Sequence, residues 1–134
     1  LIGKVAHGQI PEILGSAKIG LDVHPWLGPH LEVAVPVKVC EYMAGGCAVV
    51  TSYMPVLKKV LDEAGVGAND LRVIDGGKPR DYAQAVVQML EMIEKGADPG
   101  ARLRKAALGH LVWENEAVKI AELYRRLLGK PCVA

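Results

Sequence analysis

Residues 36–50 read Pro36-Val37-Lys38-Val39-Cys40-Glu41-Tyr42-Met43-Ala44-Gly45-Gly46-Cys47-Ala48-Val49-Val50: a helix-like segment, a glycine break and a β-branched run. Pro36 suits the first turn of a helix, where its missing N–H would be unpaired in any case. Val39, Cys40, Met43 and Ala44 recur at helical spacing and are expected to form the buried face. Lys38, Glu41 and Tyr42 share the opposite face. Gly45-Gly46 ends the helix, and the chain is expected to enter a strand at Cys47. A helix feeding directly into an apolar β-branched run is half of a βαβ unit, which points to a parallel sheet.

The pattern extends outward on both sides. Ile19-Gly20-Leu21-Asp22-Val23 reads as a strand closed by His24-Pro25, and Leu71-Arg72-Val73-Ile74 as another closed by the turn Asp75-Gly76-Gly77. Residues 1–6 are a weaker strand candidate. Helical periodicity fills the intervals over 11–17, 55–64, 81–94, 102–111 and 113–128. In 81–94 the apolar residues Tyr82, Val86, Met89, Leu90 and Ile93 share one face. Trp113, Tyr124 and the methionines are expected in the core. The fold class is therefore α/β: a Rossmann-like, three-layer αβα arrangement around a short parallel sheet. Residues 1–134 form a single domain, with 111–134 as its C-terminal helical region. A doubly wound domain usually has about six strands. With three or four visible, and with Leu1-Ile2-Gly3 in place of an initiating Met, the chain is expected to be part of a longer protein.

Composition narrows the classes. The 134 residues are 51% hydrophobic and 23% charged, too apolar for a disordered chain. Sixteen Lys and Arg against fifteen Asp and Glu leave a net charge of +1, which argues against a broad nucleic-acid surface. The three cysteines form no Cys-x-x-Cys pair and the four histidines are dispersed, so neither a disulfide framework nor a zinc site is expected. Reduced thiols and the lack of a secretory pattern point to the cytoplasm. No apolar run reaches 18 residues, so membrane contact would be peripheral at most. Lys58-Lys59, Arg102-x-Arg104-Lys105 and Arg125-Arg126 read as solvated helix faces.

The helix opening at Pro36 starts beyond the end of strand 19–23, at the sheet edge where open α/β folds bind ligands. Unpaired N–H groups and the helix dipole favour an anion there. The dipole is worth about 0.3–1 kcal/mol, and each hydrogen bond to a charged phosphate about 1.5–3 kcal/mol. Glu41, one turn deeper, would repel a phosphate but can accept from the two hydroxyls of a ribose. The plainer alternative is a solvated ion pair between Glu41 and Lys38, worth a few tenths of a kcal/mol, about 0.2–0.5. His24 ends a strand at the same edge.

Pro36-x-Lys38-x-x-Glu41-Tyr42-Met43-Ala44-x-Gly46-x-x-Val49-Val50 resembles the donor-site segment of the family 4 retaining glycosyltransferases of GT-B fold. Residues 3–14 and Ala17-x-Ile19-Gly20-Leu21 are similar to the strand–helix–strand that precedes it in that family. The resemblance implies two Rossmann-like domains, with this chain in the C-terminal, nucleotide-sugar-binding one. The parent would transfer a hexose, with retention, from a UDP- or GDP-sugar to a hydroxyl acceptor (a glycan, a lipid or a small compound) held by the N-terminal domain. It would act in polysaccharide biosynthesis or a similar process, without cofactor or metal.

Glu41 matches the second member of the family's Glu-x7-Glu pair, the one that holds the ribose. Ala34, Val35, Pro36, Val37 and Lys38 would line the diphosphate and sugar. From its place at the strand end, His24 would touch the donor or the acceptor; the plainer alternative is a structural or solvent-exposed His. Four departures accompany the match. Val33 stands where the first Glu falls, with Glu32 beside it. Ala48 replaces a proline, and Lys58-Lys59 lie where a Glu is frequent. The Arg and Lys that clamp the diphosphate would precede Leu1. No catalytic residue is assigned, and the chain alone is expected to be incomplete and inactive. A non-catalytic nucleotide- or sugar-binding module and a GT-B nucleotide-sugar epimerase remain alternatives.

Overall fold

The computed structural model describes residues 3–24 and 28–129. A 3-10 turn, His7–Gln9, leads into helix α1 (Ile10–Ser16) and strand β1 (Ile19–Asp22). A second 3-10 turn, Pro29–Val33, precedes α2 (Val37–Gly45). Then follow β2 (Ala48–Ser52), α3 (Pro55–Glu63), β3 (Leu71–Ile74), α4 (Pro79–Glu94), α5 (Pro99–His110) and α6 (Trp113–Leu127). Residues 3–6 form no strand, and the rest of the strand expected over 1–6 lies outside the described residues, as does the chain end with Cys132.

The strands form one parallel sheet in the order β1-β2-β3. Gly20 pairs with Val49, and Val49 with Leu71. The central strand β2 is buried at all five positions, as a strand covered on both faces must be. Side chains alternate across it. Val49 joins Val39 and Met43 of α2, Leu57 and Leu61 of α3, and Leu103 of α5 in the larger core cluster. Val50 packs with Tyr82 and Ala85 of α4. The result is a three-layer αβα domain, with α2, α3 and α5 on one face and α4 on the other.

Local chemistry sets the helix limits. Gly46, at φ 81°, adopts the left-handed conformation that closes α2, which a side chain would strain. Pro79 and Pro99 occupy first turns. The Asp98 carboxylate caps α5 by accepting from the Ala101 N–H at 2.9 Å, so this helix starts three residues before the expected position. Tyr42 departs from expectation. Instead of facing solvent beside Lys38 it lies over Gly20 of β1, where a methyl group would come within 2.3 Å of its ring. The missing side chain at Gly20 is what lets α2 carry a large ring against the sheet.

Met43, Met54 and Met89 are core residues as expected, but Trp113 and Tyr124 are not: both are well exposed on α6, which buries none of its residues. Its periodicity is that of an amphipathic helix, yet no element of the described chain covers its apolar stripe. Among the described residues, no helix is long and apolar enough to cross a membrane.

Candidate functional site

The loop between β1 and α2 lies at the C-terminal edge of the sheet, where the strands of a parallel sheet end and leave a crevice. Within it Ala34 and Val35 turn their side chains onto the core cluster, which anchors the approach to α2. Pro36 is the N-cap residue, and its side chain makes no capping hydrogen bond. The Val39 N–H is satisfied locally by the Pro36 carbonyl at 3.0 Å. Val37 and Lys38 are exposed in the first turn. Among the described residues, no side chain hydrogen-bonds to the positive end of α2 as a cap.

Glu41 is half-buried one turn further along. No ion pair or hydrogen bond joins it to Lys38 among the described residues, so the plain i, i+3 pair does not form. Instead Glu41 lines a pocket of about 340 Å³ with His7, Gly8, Pro11 and Leu14 of the chain before β1, and with Arg104 of α5. Arg104 donates to the Ala44 carbonyl at 2.9 Å and so steadies the negative end of α2. Arg102 of the same cluster pairs with Asp70. Both arginines are exposed, as the solvated face expected from the sequence requires, and each also bonds to a distant segment.

A second assembly occupies the strand ends themselves. Asp22, at the end of β1, is 3% exposed. Its Oδ1 lies 3.0 Å from His24 Nε2, and its Oδ2 accepts from the Thr51 hydroxyl at 3.4 Å. The His24 backbone is clamped by Ser52: its N–H donates to Ser52 Oγ at 2.8 Å, and its carbonyl accepts from that hydroxyl at 3.1 Å. Because the single Ser52 proton is so engaged, the Tyr82 hydroxyl, 2.8 Å away, is the donor to Ser52. His24 is held by ring and backbone together, with its side chain 31% exposed. It borders a cleft of about 490 Å³ shared with Glu32, Tyr53, Asp75 and Tyr82.

The predicted donor-site residues therefore distribute over three separate places. His24 belongs to the cleft at the strand ends. Ala34, Val35, Pro36, Val37 and Lys38 form the approach and first turn of α2. Glu41 faces the pocket beside α1. Val33, at the position of the family's first Glu, is 74% exposed and lines neither space, whereas Glu32 borders the cleft. Tyr42 links the two assemblies: burial, and then the charges of Asp22, Cys47 and Glu41, push its phenol pKa up.

The sequence reading missed Asp22, Ser52, Tyr53, Asp75 and Tyr82. One signal was present, since Asp22 and His24 at i, i+2 share one side of an extended chain. Ser52 and Tyr82 gave none, because they meet His24 only through the pairing of β2 with β1 and the return of α4. Burial pushes the thiols of Cys40 and Cys47 up, which disfavours the reactive thiolate, and Cys47 Sγ donates to the Leu14 carbonyl at 3.3 Å. Among the described residues no three of His, Cys, Asp and Glu converge to hold a metal ion. Comparison with known proteins finds no matching family model, no significant similarity to a curated protein and none to a solved structure.

Proposed function

We propose that this chain is the donor-binding portion of a GT-B, family 4-like retaining glycosyltransferase, and that it holds the nucleotide half of a UDP- or GDP-sugar. The observation that carries the reading is the setting of Glu41. A carboxylate one turn inside α2, without an ion pair to Lys38 among the described residues and lining a pocket, would accept from ribose hydroxyls while the diphosphate meets the first-turn amides. His7, Gly8 and Pro11 on the far wall of that pocket would flank the base.

In transfer, negative charge builds on the departing diphosphate, and the α2 amides around Val37 and Lys38 would stabilise it. Glu41 would keep the nucleotide in register. The acceptor, and the basic side chains that complete the diphosphate clamp, would come from elsewhere in the parent enzyme. The exposed Val33 favours a second reading in which the site binds a nucleotide sugar without transferring it.

Calorimetry with UDP and GDP tests the nucleotide assignment. Glu41→Ala should weaken binding by at least about 1.5 kcal/mol, the lower value for a hydrogen bond to a charged group. Equal affinities for the variant and the natural chain would defeat the ribose role. Turnover of a UDP- or GDP-sugar by the parent protein separates the transferase from the binding module.

A further inference from the structure

We propose that α6 is a self-association helix: two copies of this chain pair their α6 helices antiparallel, about a two-fold axis, and bury the apolar stripe that each leaves exposed. The inference uses no residue of the nucleotide reading and stands apart from it.

The spacing of the stripe points to another helix as its partner. Trp113, Ala117, Ile120, Tyr124 and Leu127 follow one another at intervals of four, three, four and three residues, the heptad spacing of a helix-pair seam. Trp113, Ile120, Tyr124 and Leu127 are all exposed, and Ala117 is half-buried. Single exposed apolar side chains are ordinary, but four large ones in one row make a continuous patch. Ala117, the small member of the row, leaves a gap between Trp113 and Ile120 that a side chain of a facing helix can fill.

Charge identifies that helix as a second copy of α6. The first turn is acidic, with Glu114 and Glu116, and the last turn basic, with Arg125 and Arg126. Two of these charges are satisfied within the helix: Glu116 accepts from Lys119 at 2.6 Å, and Arg126 donates to Glu122 at 3.0 Å. Arg125 lies 3.9 Å from the same Glu122, and Glu114 has no ion-pair partner among the described residues. Glu114 and Arg125 are eleven residues apart, close to three helical turns, so they share one edge of the stripe.

In an antiparallel two-fold pair that edge meets itself reversed. Glu114 of each copy then faces Arg125 of the other, and the contact forms twice. The same register lays Trp113 of each copy against Tyr124 and Leu127 of the other, with the Ile120 side chains near the axis. A parallel pair would instead set Glu114 against Glu114 and Arg125 against Arg125, which repel. Because the same surface serves both copies, the assembly closes at two. An anionic lipid surface suits α6 less well. Glu114, Glu116 and Glu122 balance Lys119, Arg125 and Arg126, so the helix has no net charge to draw it there.

The helix is about 22 Å long. A seam of that length sits at the low end of specific interfaces, about 1,200 Å² or less, so the dimer is expected to form with rising concentration and to dissociate on dilution.

The experiment is sedimentation equilibrium on the full chain between about 1 µM and 1 mM, the range in which interfaces of this size assemble. The mass should rise from one chain to two. Tyr124→Ala and Leu127→Ala truncate exposed side chains, so both variants should fold normally and weaken the dimer at least about tenfold. Glu114→Arg and Arg125→Glu each turn two attractions into repulsions and should weaken it at least about fivefold, and mixing these two variants should restore it. Circular dichroism checks that each variant keeps its helices.

A single-chain mass at every concentration, a mass that grows beyond two chains, or a dimer indifferent to all four substitutions overturns the proposal. So does a charge-variant mixture that associates no better than its components. A chain that stays monomeric but binds phosphatidylserine vesicles, with binding lost in Leu127→Ala, makes the stripe a membrane face and equally overturns it. On the longer parent of the reading above, a monomer at every concentration assigns the stripe to a contact within that chain, with the same consequence.

Discussion

On one face of the sheet α2, α3 and α5 close over Val49 and Leu71, and Val39, Met43 and Leu103 have no accessible surface. On the other, α4 covers Val50 but leaves Leu21 of β1, and Val23 just beyond it, each 48% exposed. A groove of about 760 Å³ runs there between β1 and α4, lined by Leu21, Val23, Val86 and Val87. The two faces do different work. The closed face fixes the direction of α2 and with it the position of Glu41. The half-open face contributes Tyr82, which holds Ser52 and so the His24 backbone, but it adds little burial at β1. The position of Glu41 therefore depends on the closed face, and the hold on the His24 backbone on the half-open one.

The sharpest way to break this comparison is a pair of truncations. Leu103→Ala empties a fully buried site and should cost about 2–5 kcal/mol in urea unfolding, whereas Leu21→Ala, already half in water, should cost under about 1 kcal/mol. Similar losses from the two would mean that the faces are equally packed. A methyl probe sharpens the same point with a smaller effect. At Gly100 an added Cβ would lie 2.0 Å from the Gly46 carbonyl oxygen, a backbone atom that cannot swing aside, so Gly100→Ala should cost about 1–3 kcal/mol. At Gly109 in the same helix the added atom meets nothing within 4 Å, and Gly109→Ala should be neutral or stabilising by up to about 1 kcal/mol. The smallest effect is expected on α6. Trp113 is 68% exposed, and Trp113→Ala should change the unfolding free energy by no more than about 0.5 kcal/mol. A larger change would show that α6 carries packing in solution beyond that described here.

Much of the fold was legible from local signals. The apolar runs at Ile19, Ala48 and Leu71, the glycines at 45 and 46, and the prolines at 11, 36 and 55 mark the strands and helix ends within a few residues of where they lie. These signals are local because φ limits, missing donors and side-chain period act within a few residues of chain. Glu41 was legible for a similar reason, since its distance from a helix start is a matter of counting. The buried side of α2 was only partly so. Periodicity places Tyr42 on a face, but whether that face meets water depends on Gly20, twenty-two residues earlier.

Sequence alone determined the α/β alternation, the parallel sheet and the carboxylate one turn into an open helix end, because each follows from spacing and residue chemistry along a short stretch. Only the tertiary structure decided that Glu41 turns to a pocket and away from Lys38, that Asp22, Ser52 and Tyr82 converge on His24, and that Trp113 is left uncovered. Those outcomes are set by which distant segments meet across the sheet, and pairwise contacts between separated strands and helices leave no periodic mark in either partner.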